Sequence, residues 1–117
     1  MKKLILLALL LLTSGVHAQG KKAQDLVAPC NGGDMSACSA LGALKYLGLG
    51  VKKDVAGAIV LHTKACNGNN AAGCYNLGSL YYYGKDVYQD KEKAKELFKR
   101  ACNGGNEGGC MMLRRMK

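Results

Sequence analysis

One segment of this chain occurs three times, and that recurrence limits the possible folds more than any other feature. Ala101-Cys102-Asn103-Gly104-Gly105-Asn106 is followed by Cys110. Pro29-Cys30-Asn31-Gly32-Gly33-Asp34 is followed in the same way by Cys38, and Ala65-Cys66-Asn67-Gly68-Asn69-Asn70 by Cys74. Equivalent cysteines recur every 36 residues, and all six cysteines belong to the pattern. A period in this range marks stacked supersecondary units, each of which buries its apolar face against the next. A chain of this kind grows as a solenoid.

The first residues bear on how those cysteines are used. Lys2 and Lys3 precede an apolar block from Leu4 to Leu12, and Val16-His17-Ala18 precedes a polar turn at Gln19. This order reads as a secretory signal peptide over residues 1–18. The apolar block is roughly half of the ~20 residues that a membrane span needs, so an uncleaved anchor is the weaker reading. No cysteine stands at the expected cut, which gives no sign of a lipid anchor. Export leads to an oxidising compartment, periplasmic or extracellular, where small domains recruit disulfides. Six cysteines allow fifteen pairings, but a strict repeat makes each local pair the simplest: Cys30–Cys38, Cys66–Cys74 and Cys102–Cys110. Structural zinc favours closer cysteine spacing and more histidine, and redox sites favour Cys-x-x-Cys, so neither a metal nor a redox cofactor is expected.

Between the clasps the apolar residues follow helical spacing. Cys74, Leu77, Gly78 and Tyr81 fall at i, i+3, i+4 and i+7, and Ala94, Leu97, Phe98, Ala101 and Cys102 extend the same rule to i+8. The preceding unit repeats these stripes as Cys38, Leu41, Gly42 and as Ala58, Leu61, His62, Ala65, Cys66. His62 therefore stands where Phe98 stands, and reads as a packed core residue. Gly42 and Gly78 lie on apolar faces, where a missing side chain lets helices approach closely. Asp34, Asn70 and Asn106 are candidate N-caps for the first helix of each pair, Asp54 and Asp90 for the second. The resulting organisation is a half-unit over 20–30, full repeats over about 34–66 and 70–102, and a terminal capping helix over about 106–116. The fold class is all-α: a short α/α solenoid of antiparallel helix pairs.

Removal of Lys2 and Lys3 takes the formal net charge from +9 to +7. Such a surface favours anionic partners. The basic run from Lys91 to Arg100 interleaves Glu92 and Glu96 at i,i+3 and i,i+4 spacing, which describes a solvated helix face rather than a nucleic-acid site.

The residues Leu77-Gly78, Tyr81, Gly84, Val87, Asp90, Ala94 and Ala101, with their partial copy from Leu41-Gly42 to Ala65, resemble Sel-one-like repeats, relatives of tetratricopeptide repeats. With the Cys-x7-Cys clasp added, the chain resembles the Helicobacter cysteine-rich protein family. That resemblance implies helix pairs disulfide-bonded within each clasp, and either a β-lactam-binding or β-lactamase activity or a protein-interaction scaffold. Carrying the array's register over places Ser39, Tyr46, Tyr75, Ser79, Tyr82, Tyr83 and Arg115 on or near a concave binding face. Tyr81, on the stripe, is expected in the core. Hydrolysis of a β-lactam by a serine enzyme uses Ser-x-x-Lys, yet Ser36, Ser39 and Ser79 lack a lysine three residues on. No catalytic residue is assigned, and the expected function is a binding module for a peptide, a protein or a peptidoglycan- or β-lactam-like ligand, with β-lactamase activity as the alternative.

Overall fold

A computed structural model describes residues 22–116, so the signal-peptide reading of residues 1–18 lies outside the described residues. The described residues form helices and connecting turns. Residues 22–31 form α1. It is followed by α2 (Met35–Leu47), α3 (Val55–Asn67), α4 (Ala71–Tyr83), α5 (Lys91–Asn103) and α6 (Glu107–Arg115).

Helix starts are set by the residues read as caps. Asp34, Asp54, Asn70, Asp90 and Asn106 all have extended backbone. Each side chain accepts a hydrogen bond from an amide in the first helical turn, those of Ala37, Gly57, Gly73, Lys93 and Gly109 respectively. This satisfies donors that a helix N-terminus otherwise leaves open. In the clasp turns the left-handed residue is not the one that directly follows the helix. Gly68, the residue after α3, keeps φ at −88°. The left-handed conformation falls one residue later, at Asn69 with φ 67°, and at the equivalent Gly33 (105°) and Gly105 (93°). Asparagine and glycine tolerate that region best, which explains why only those two types stand there.

The units repeat in their backbone bonds as well as in sequence. The Asp54 amide donates to Lys45 O and, 36 residues on, the Asp90 amide donates to Tyr81 O, which brings the start of each second helix to the end of the first. Asn70 and Asn106 donate to Ala65 O and Ala101 O across the clasps in the same way. The bridges Cys30–Cys38, Cys66–Cys74 and Cys102–Cys110 are formed, with Cα atoms 4.6, 4.4 and 4.6 Å apart. Each links the end of one unit to the first turn of the next. A second, noncovalent tie was not evident in the sequence. Arg100 Nη2 donates to Cys66 O at 2.9 Å, and Lys64 Nζ to Cys30 O at 3.4 Å. Arg100, read as part of a solvated face, thus holds its clasp to the preceding one.

Consecutive helices from α2 to α6 pack on one another, and α2 also touches α4. The core is a string of small clusters rather than one centre. One gathers Cys30, Ala37, Cys38 and Ala65; the next Cys66, Cys74, Leu77, Leu97 and Ala101; the last Ala94, Phe98 and Met112. Arrays in which each unit contacts only its neighbours have this form. Among the described residues, no helix is long and apolar enough to cross a membrane.

Candidate functional site

The site begins with a substitution inside the repeat. In the second unit, Phe98 of α5 is fully buried against Gly78 of α4, where an added Cβ would meet the Phe98 ring at 3.0 Å. In the first unit, His62 of α3 lies against Gly42 of α2 with the same closeness, 2.9 Å from such a Cβ to Cε1. The glycines thus allow one ring per unit to pass under the first helix. His62 is 3% exposed. Its Nδ1 is the one buried side-chain nitrogen or oxygen without a hydrogen-bond partner among the described residues. Burial lowers its pKa from 6.5 to about 4, so the imidazole is neutral at neutral pH.

What covers these two rings differs. Tyr75 and Tyr82 pack on Phe98 at centroid distances of 5.8 and 6.2 Å, and Leu113 and Met116 of the α6 region join the same cluster. Over His62, the position equivalent to Tyr75 is Ser39, which is too small to extend across the ring. A groove of about 360 Å³ remains there. Ala43, Tyr46 and Leu47 of α2 form one wall and Asn76, Ser79, Leu80 and Tyr83 of α4 the other. His62 lines its base and Lys85, from the loop after α4, its edge.

Two groove hydroxyls are already committed. Tyr46 Oη donates to Asp86 Oδ2 at 2.7 Å, tying the end of α2 to the loop that follows α4. That hydrogen bond, ahead of burial, raises the Tyr46 pKa above the ordinary phenol value. Ser79 Oγ donates to Tyr75 O at 3.0 Å. The rim is apolar and open: Leu47 and Tyr83, which occupy equivalent positions in the two units, are 61% and 66% exposed.

The face expected from the register thus divides. Tyr46, Ser79 and Tyr83 meet in the groove. Ser39 is buried on α2, while Tyr75 and Tyr82 are partly buried against Phe98. Tyr81 is likewise partly buried against the core clusters, with Lys93 Nζ 4.4 Å from its ring centroid. Arg115 is exposed near the end of α6, apart from the groove. His62 and Lys85 were not among the expected face residues. The signal for His62 was its exchange with Phe98 inside an otherwise matching stripe. Among the described residues, no three His, Cys, Asp or Glu side chains are grouped to hold a metal ion.

Comparison with known proteins places these features. The Sel1 repeat model matches residues 36–70 and 71–106. Helicobacter pylori cysteine rich protein B is similar at 35% identity and a TM-score of 0.72, over 78% of this chain and 68% of that one. A Sel1 repeat protein from Oxalobacter formigenes is similar at 26% identity and a TM-score of 0.74, over 81% of this chain and 71% of that one. A protective antigen of uropathogenic Escherichia coli, c5321, described as displaying an SLR fold, shares the fold at a TM-score of 0.77 and 23% identity. That match covers 84% of this chain but only 21% of the antigen. No curated protein sequence matches the chain.

Proposed function

This chain belongs to the Sel1 repeat family, and from that premise we propose that it is an exported, disulfide-stapled binding module whose α2–α4 groove receives a side chain of a peptide or protein partner. The observation that carries this reading is the groove itself: about 360 Å³, walled by two tyrosines and two leucines, with an apolar rim left open to solvent. Ligand sites start at roughly 300 Å³, are mostly apolar and carry a few placed polar groups. Tyrosine walls suit recognition, because each ring combines a large apolar body with a polar tip. The Cys66–Cys74 clasp fixes α4 on α3, and the Tyr46–Asp86 bond ties the end of α2 to the loop after α4, so little ordering is left to be done when a ligand arrives.

The test is selection of displayed random peptides on the oxidised protein, with Leu47→Asp and Tyr83→Asp variants as counter-screens. Recovered peptides that bind the parent and lose at least tenfold in affinity on both variants support the reading. Peptides that bind all three proteins alike refute it. Benzylpenicillin, run in parallel, separates the alternative: turnover that copurifies with the folded protein and disappears on Tyr83→Asp would replace the binding module with a β-lactamase.

A further inference from the structure

The repeat supplies its own reference for the base of the groove. Phe98 shows that a phenyl ring fits under the glycine of the first helix, fully buried and free of polar atoms. His62 stands at the equivalent position and introduces a nitrogen without a partner. An unsatisfied buried polar atom is destabilising, so the histidine works against the stability of the unit that holds it. Its ring also lines the groove, whereas the Phe98 ring lies under Tyr75 and Tyr82.

Resting on the groove reading above, we propose that His62 is the residue that sets ligand specificity, and that the groove takes a tyrosine side chain of a peptide partner, its hydroxyl donating to the imidazole. The hydroxyls of Tyr46 and Ser79 already donate within the protein, to Asp86 and to Tyr75 O, and among the groove-lining side chains His62 is the one with a buried nitrogen that has no partner. A neutral imidazole carries one N–H and one acceptor nitrogen, and either nitrogen can be the acceptor. A purely apolar side chain leaves that nitrogen unsatisfied. An anion could pair with Lys85 at the groove's edge, but it has no hydrogen to donate to the imidazole and would shed its hydration beside a neutral ring. A phenol supplies the missing donor on an apolar body, and a groove of this volume, at the low end for ligand sites, suits one large side chain.

The experiment titrates the oxidised, ¹⁵N-labelled protein with p-cresol and, separately, with toluene, the two differing by one hydroxyl. Amide shifts at Ala43, Ser79 and Tyr83 report occupancy, and the imidazole ¹⁵N signals of His62 report the hydrogen bond. The expected result is p-cresol binding about tenfold more tightly than toluene, as one added neutral hydrogen bond at a buried site gives, with a shift of a His62 ring nitrogen. In His62→Phe, or in His62→Leu should the phenylalanine variant fail to fold, that preference is lost. Equal binding of the two probes in the parent overturns the hydroxyl–imidazole proposal while leaving the groove reading in place. Failure of both probes to move the groove amides overturns both.

Discussion

Acid should weaken this fold through one side chain, and the size of the effect follows from burial. His62 in the folded chain holds its proton only below about 4, against 6.5 for the free side chain. The unfolded chain therefore binds a proton that the folded chain refuses as the pH falls from about 6.5 to about 4. Stability from this group is fully present above 6.5, is lost across that interval and levels off below it. A difference of about 2.5 units, at 1.36 kcal/mol each, gives a loss of about 3 kcal/mol. His62→Phe removes the effect, and Phe98 shows that the position accepts the ring. Losing the unpartnered Nδ1 should also leave the variant about 1–2 kcal/mol more stable at pH 7.5. The assay is urea unfolding followed by far-ultraviolet circular dichroism between pH 7.5 and 3.5, with the disulfides intact. Carboxylates titrate in both proteins, so the difference between the two curves isolates His62. Parallel curves from pH 6.5 to 4 would refute the reasoning, because they would mean that His62 is solvated in the folded chain.

Other residues give separate expectations. Replacing both Cys66 and Cys74 by serine opens a short loop of sequence separation 8 and should cost about 2.5 kcal/mol on the chain-entropy model, read as a lower urea midpoint. Gly109→Ala would bring a Cβ to 2.8 Å from Phe98 O and 2.9 Å from the Cys102 amide, both backbone atoms, and should cost about 1–3 kcal/mol in the same assay. Arg100→Ala frees Cys66 O from its guanidinium, and amide hydrogen exchange around the second clasp should quicken several-fold while that around the first stays unchanged. Asp54→Ala removes the acceptor for the Gly57 amide and should cost about 1 kcal/mol.

The solenoid was legible because each of its devices is local. Caps, clasps and apolar stripes recur at a fixed spacing, and each specifies a bond or contact within one unit or to the next. Asp54 shows this in its side-chain bond to Gly57 and its backbone bond to Lys45. The groove was less legible, because it depends on which first-helix residues cover the ring below. Tyr75 and Tyr82 occupy face positions in the register, but Phe98 and the α6 cluster draw both inward. Ser39, on the same register, is buried on α2 and does not line the groove. The tie from Arg100 to Cys66 O spans 34 residues and joins a side chain to a carbonyl, so charge spacing along one helix could not show it.

Amide-shift mapping of a selected peptide on the oxidised protein tests the central claim most directly. The account predicts a footprint confined to α2, α4 and the loop at Lys85, centred on Ala43, Ser79 and Tyr83 and accompanied by movement of the His62 ring signals. A saturable footprint on the basic face of α5 or along the clasps, with the groove amides unmoved, would contradict it.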